Sequence, residues 1–325
     1  MNNAITDISG IKVGHAQDDD ALTGCTVVLC EGGAVGGIDR RGNGTSTRQV
    51  DGLDPSHIGD TVHAIMLSGG SAFGLDAAGG VMRYLEEKGL GFKYGKARIP
   101  TVPTAVLFDL GLGDSTRRPD AEMGYQSCLN ASDGAVLEGC VGAGTGATVG
   151  KARGMEHAMK SGVGTASMEI AEGVWVASLM AINALGDVVD PASGEVVAGA
   201  RSDDLGDGEL RFANALEVIR PLVGKSIAAH IAPDNTVIGV AATNAKFNKV
   251  EANKLAQMAQ NGVVRAVRPA HTQGDGDTMF ALATGEVQAD VNIVGAFAAQ
   301  VTSQAIMRAV RAAAGAGGLP GLADR

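Results

Sequence analysis

Aromatic side chains are scarce in this sequence: one Trp, three Tyr and seven Phe stand among 325 residues, against 48 Gly. An interior built on large rings is thereby excluded. The core has to be filled by Ala, Val, Ile and Leu, with backbones drawn close together where Gly occurs. Basic residues are outnumbered 26 to 36, a net charge of −10, which argues against a nucleic-acid or anionic-membrane partner. The four cysteines, Cys25, Cys30, Cys128 and Cys140, form no Cys-x-x-Cys pair and have no His pair at ligand spacing beside them. A zinc site is not indicated, and reduced, buried small hydrophobes are expected. No run approaches eighteen consecutive apolar residues, which argues against a spanning helix. The opening MNNAITDISGIKVGHAQDDD lacks a basic start and an apolar stretch, so no signal peptide is visible and a cytoplasmic location is expected. No Pro- or Ser-rich linker or charge block divides the chain, so one domain over residues 1–325 is expected.

Short apolar runs bounded by Gly, Asp and Pro predict strands at 25–30, 61–67, 103–108, 173–182, 226–232, 236–243 and 278–284. Three segments have helical character. Residues 71–88 end at Gly89, a C-cap residue type. Residues 249–268 follow Asn248, with Glu251 three positions on, a capping-box pattern. Residues 294–314 are Ala-rich, with Arg308 and Arg311 favourably placed near the C-terminal end. Strands cluster with helices without strict alternation, which predicts a layered α/β protein with helices outside and mixed sheets inside.

Several motifs fail on context. Gly142-Ala143-Gly144-Thr145-Gly146-Ala147 fits G-x-G-x-x-A but lies mid-chain, with no clean helix after it. Gly224-Lys225-Ser226 resembles the end of a phosphate-binding loop, but Ile219 stands where Gly is required. Gly69-Gly70-Ser71-Ala72-Phe73 lacks the second Gly of a nucleophile elbow. Asp275-Gly276-Asp277 opens like a calcium loop, but Met279 occupies the next ligand position. His15, His57, His63, His157, His230 and His271 form no close-spaced metal pair and are left without a role. No metal and no cofactor is called for.

What remains is a polar turn running into an apolar strand at Pro233-Asp234-Asn235-Thr236-Val237-Ile238, followed by a second such turn at Asp275-Gly276-Asp277. Taken singly, Asn235-Thr236 reads as a strand entry, Asp275-Gly276-Asp277 as a turn, Lys151 as a surface charge and Asn183 as a strand-end residue. A cut between Asn235 and Thr236 changes that reading. The threonine then carries a hydroxyl nucleophile and a free α-amine on one residue, a complete nucleophile-and-base pair.

Together, PDNTVIGVAATNA, VEANKLAQMAQNGVVRAVRP and HTQGDGDTMFALAT resemble the self-processing amidohydrolase family. That family holds the L-aminopeptidase/D-Ala-esterase, the β-peptidyl aminopeptidases and the nylon-oligomer hydrolases, and the turn before Asp277 is nearest to the last of these. The resemblance extends to ITDISGIKVGHAQDDDALTGCTVVL, GGIDRRGNGTSTRQVDGL and LSGGSAFGLDAAGGV, and so covers most of the chain. It implies a four-layer αββα sandwich resembling the N-terminal-nucleophile hydrolases with different connectivity. It also implies cleavage between Asn235 and Thr236 into an α-chain 1–235 and a β-chain 236–325. By position, Thr236 corresponds to the nucleophile, Asp275 and Asp277 to the acidic pair beside it, Lys151 to a lysine near it and Asn183 to the asparagine facing the oxyanion. Ser71 and Phe73, at the glycine-rich helix start, are the implied substrate-binding residues, and Phe73 replaces a tyrosine of several members. The implied substrate is a small peptide or amide with a free amine, and the implied assembly a tetramer of αβ units. An acyltransferase of the ornithine acetyltransferase type and a non-catalytic nucleotide or ligand binder are the alternatives.

Overall fold

Alternation along the strands decides the architecture. The computed structural model describes residues 1–202, 210–223 and 235–324; the strand expected at 226–232, the Gly224-Lys225-Ser226 motif and His230 lie outside them. Among the described residues nine strands form one hydrogen-bonded sheet: β1 (Lys12–Asp18), β2 (Thr23–Arg40), β3 (Thr47–Arg48), β4 (Thr61–Ser68), β5 (Thr104–Val106), β6 (Val163–Ala171), β7 (Val174–Asn183), β8 (Thr236–Ala245) and β9 (Thr278–Val287). Their order is β6-β7-β8-β9-β2-β4-β5-β3, with β1 paired to β2. The β8–β9 and β4–β5 pairs are parallel and the others antiparallel.

Strand β2 belongs to both halves of this path. Its end, Val35–Arg40, pairs with β9, while Cys25–Leu29 pair with β4, and the register shifts between Leu29 and Ala34. Val28, Ile65 and Leu67 share one buried cluster with Leu179, Val240, Phe280 and Leu282. A period of two sends their neighbours outward. Val27, Leu29, Ala64 and Met66 pack under helices α1 (Ala77–Glu87) and α2 (Ala121–Leu129). Val237, Ala241, Met279 and Ala281 pack under α3 (Lys249–Ala266) and α4 (Val291–Arg311). The result is αββα, as expected, with both sheet layers drawn from one continuous hydrogen-bonded path.

Glycine explains the scarcity of rings. A Cβ on Gly80 would stand 1.7 Å from the Ala121 carbonyl oxygen, and one on Gly124 1.9 Å from that of Ala77. Helices α1 and α2 therefore touch backbone to backbone. Several boundaries differ from expectation: the strand expected at 25–30 runs from Thr23 to Arg40. Residues 71–76 form a 3-10 turn before α1. Helix α3 ends at Ala266 because Val267 and Arg268 pair with Val188 and Asp187. Helix α4 starts at Val291, where Asp290 caps the Asn292 amide. Strands β1 and β6 and helix α2 were not among the expected elements. By length and composition α4 could cross a membrane, but 67% of its most apolar window is buried, against β6, β7 and α3. All four cysteines are free; Cys25, Cys30 and Cys128 are buried, and Cys140 is partly exposed.

Candidate functional site

Thr236 opens β8 and is 5% exposed. Antiparallel pairing of β7 with β8 sets it directly opposite Asn183. Parallel pairing of β8 with β9 extends backward as a bridge between Asn235 and Asp275. The sheet thus brings three of the sequence-selected positions to one end of its central strands. Thr236 Oγ1 donates to the Asn235 carbonyl oxygen at 2.6 Å, and the Gly276 N–H donates to the same oxygen at 2.9 Å. Only Gly fits at 276, because a Cβ there would meet Thr236 Oγ1 at 2.8 Å and Cγ2 at 3.1 Å.

Asn183 is held in one orientation. Its Oδ1 accepts from the Thr148 amide at 3.1 Å, Thr148 Oγ1 at 3.2 Å and Lys151 Nζ at 3.0 Å, while Nδ2 donates to the Phe108 carbonyl at 2.8 Å. Lys151 Nζ also reaches the Asn183 carbonyl at 3.2 Å, and the lysine is only 3% exposed. Read alone it is a surface charge; in the fold it is a buried cation beside the asparagine. Lys160 pairs across from Thr148, whose amide holds Asn183, and had no sequence signal. It is fully buried and donates to the Thr145 and Ala147 carbonyls at 2.8 Å each, and burial lowers it to about 8. The 142–147 turn therefore presents carbonyls to a cation, while its Gly142 and Ala143 amides donate to Gln17 and Thr26. A phosphate cradle needs those amides directed outward.

The two carboxylates differ sharply. Asp277 Oδ1 accepts from the Val237 amide at 2.7 Å, and Oδ2 accepts from the His271 amide at 3.0 Å and from His271 Nδ1 at 2.8 Å. Asp275 Oδ2 accepts from the Thr272 amide at 2.6 Å, and its buried Oδ1 has no partner among the described residues. Burial first and the neighbouring Asp277 second push the Asp275 carboxyl from 3.8 up to about 6. A folded state that binds this proton more tightly than the unfolded chain loses stability as pH rises from about 4 to about 6 and gains nothing beyond. In an uncleaved background, Asp275→Asn is therefore expected to raise the melting temperature at pH 8 and to leave it nearly unchanged at pH 4. Equal gains at both pH values would show that the charge of Asp275 is not what burdens the fold.

Sequence reading missed His271, which was left without a role and stands against Asp277. An isolated His six residues before an Asp carries no local pattern that marks this contact. Ser71 and Phe73 join the site less directly. The Ser71 amide donates to the Leu107 carbonyl, one peptide from the Phe108 carbonyl that Asn183 holds. Phe73 is 61% exposed, with the Arg118 guanidinium 4.0 Å over its ring. The four selected polar side chains thus converge on Thr236 and its immediate neighbours, while Phe73 stays at the surface. Among the described residues no group of His, Cys, Asp and Glu is placed to hold a metal.

The model of Peptidase family S58 matches residues 3–322. An uncharacterized aminopeptidase of Mycobacterium tuberculosis (strain H37Rv) is 42% identical over 99% of this chain and 97% of its own length. A 6-aminohexanoate-oligomer endohydrolase of Kocuria sp. is 29% identical over 94% of this chain and 85% of its own. Among solved structures, the L-aminopeptidase D-Ala-esterase/amidase of Ochrobactrum anthropi, described as a variant of the Ntn hydrolase fold, superposes with a TM-score of 0.71 at 17% identity. It covers 96% of this chain and 86% of that one. The protein is an amide hydrolase, and its chain belongs to Peptidase family S58.

Proposed function

We propose that the chain cuts itself between Asn235 and Thr236, and that Thr236, as the first residue of fragment 236–325, then hydrolyses small amine-bearing peptides or ω-amino-acid amide oligomers. The observation that carries this reading is the scissile carbonyl itself, which lies within hydrogen-bond reach of both the Thr236 hydroxyl and the Gly276 amide. In self-cleavage Oγ1 bonds to the Asn235 carbonyl carbon and the Asn235–Thr236 C–N bond breaks. The hydroxyl proton ends on the threonine nitrogen, leaving an ester. Water then hydrolyses the ester to an Asn235 carboxylate and a free Thr236 amine. The Gly276 N–H stabilises the oxyanion of the first step, a contribution typically of about 10²- to 10³-fold per donor.

In turnover the α-amine, with an ordinary pKa of about 7.7–8.0, takes the hydroxyl proton and returns it to the leaving amine. Asp277 anchors the backbone next to that amine, Asp275 exchanges protons near neutral pH, and Lys151 balances the two carboxylates. Asn183 stands opposite Thr236 with its Nδ2 donating to the Phe108 carbonyl and its Oδ1 accepting from Lys151, and so holds the lysine beside the site. The names of the relatives support both α-amino and ω-amino acyl groups as substrates. A tetramer of αβ units and a cytoplasmic location belong to the same reading.

Denaturing gels of the 32.8 kDa chain test the first half: fragments 1–235 and 236–325 are expected, with Thr as the first residue of the smaller. One intact band in samples of every age would remove the mechanism. A panel of para-nitroanilides and short amide oligomers with α-, β- and ω-amino acyl groups then assigns the substrate. Size-exclusion chromatography with light scattering checks the tetramer.

A further inference from the structure

The turn that precedes β9 grips both carboxylates at once. His271 lies at φ +60°, a left-handed conformation that a non-glycine residue adopts at some cost. That conformation allows successive amides to point to one side. The His271 amide reaches Asp277 Oδ2 at 3.0 Å, and the Thr272 amide reaches Asp275 Oδ2 at 2.6 Å. The imidazole adds a third donor through Nδ1, 2.8 Å from Asp277 Oδ2, with the two side chains 13% and 2% exposed. A carboxylate oxygen can only accept, so Nδ1 carries the proton. The other oxygen of Asp277 meets the Val237 amide, so the ring fixes the carboxylate from behind while its front faces the peptide that follows Thr236.

We propose that His271 is a positioning residue of the hydrolytic site, holding Asp277 against the Thr236–Val237 backbone and drawing off part of its negative charge. The inference rests on the self-processing reading above. Once Thr236 bears a free amine, a carboxylate beside it favours the protonated form, which is useless as a base. A donor on the far side of that carboxylate weakens the effect. Other charged groups face the same place. Asp275 lies on the same turn, and Lys151 bonds to Asn183, which stands opposite Thr236. At the end of β2 the Arg41 amide reaches the Asp277 carbonyl while its guanidinium pairs with Asp39. Of these, Asp275 also feels His271 electrostatically, so the His271 variants are compared in an Asp275→Asn background as well as in wild type.

Three variants separate the ring from the backbone. His271→Gly keeps the left-handed turn and its amides but deletes the ring donor. His271→Gln retains size and polarity, but its amide falls where Nε2 stood. His271→Asn tolerates the turn and puts an amide nitrogen where Nδ1 stood. For self-processed protein, the acid limb of the kcat/KM–pH profile is expected to move up by roughly half to one pH unit in His271→Gly, and to stay in place in His271→Asn. Should His271→Gly not yield folded protein, His271→Gln is expected to show the same shift. A limb at the wild-type pH in the ring-deleted variant, or moved equally in His271→Asn, overturns the proposal. Wild-type protein processed on the same gels tells this failure apart from a failure of the self-cleavage reading, in which no variant and no wild type would split.

Discussion

A Thr236→Ala chain is expected to remain whole and to hydrolyse no amide, a loss of about 10⁴-fold or more. The substitution removes the hydroxyl that stands 2.6 Å from the Asn235 carbonyl oxygen. Without the cut, the amine that serves as base in turnover is never exposed, so one missing oxygen disables both reactions. Folding should survive. Thr236 is buried, but among the described residues its hydroxyl bonds to the adjoining residue alone, and the lost hydrogen bond amounts to about 1 kcal/mol. Thr236→Ser and Thr236→Cys keep a nucleophile and are expected to split, more slowly than wild type. The measurements are fragment formation on denaturing gels, circular dichroism and anilide hydrolysis. Splitting of Thr236→Ala at the same bond would end the assignment of Thr236 as nucleophile.

Asp277→Asn is expected to slow both self-cleavage and turnover by about 10²-fold, since each buried donor left facing an amide nitrogen costs about 1–3 kcal/mol. Both oxygens of Asp277 accept from N–H groups, so whichever way the asparagine turns, its NH₂ meets a donor. The backbone at Thr236–Val237 then shifts, and the hydroxyl loses its alignment on the scissile carbonyl. Asp275→Asn is the milder change. Its bond from the Thr272 amide can go to the asparagine oxygen, and the other oxygen has no partner to lose among the described residues. Smaller rate losses are expected at pH 8, together with loss of any inflection near pH 6 that Asp275 supplies to the processing rate. Processing half-times and steady-state rates in both variants decide the matter. Equal losses would mean that the pair acts as a unit, and wild-type rates in both would remove the pair from the site.

Local chemistry was readable along the chain, and distant pairing was not. Asn248 and Glu251 mark the start of α3 because a capping box is built from neighbours in sequence. The apolar runs at β4, β8 and β9 mark buried strands for the same reason. The order of motifs around Asn235-Thr236 and Asp275-Gly276-Asp277 selected Thr236, Lys151, Asn183, Asp275 and Asp277, all of which the fold gathers at one end of the central strands. Tertiary structure alone decided the rest. Gly32 and Gly33 read as the end of a short strand, yet β2 runs on through them to Arg40, because only pairing with β4 on one stretch and β9 on another makes a long strand worthwhile. Lys160 and His271 gave no signal, since a buried lysine is recognised by the carbonyls that surround it and a histidine by the carboxylate it meets. Which carboxylate is saturated and which is left with an open oxygen was likewise undetermined by Asp-Gly-Asp itself. That difference arises partly from the Val237 amide, forty residues away from Asp277 in sequence, a pairing that no local pattern encodes, and partly from the left-handed turn at His271, which directs the 271 and 272 amides onto the two carboxylates.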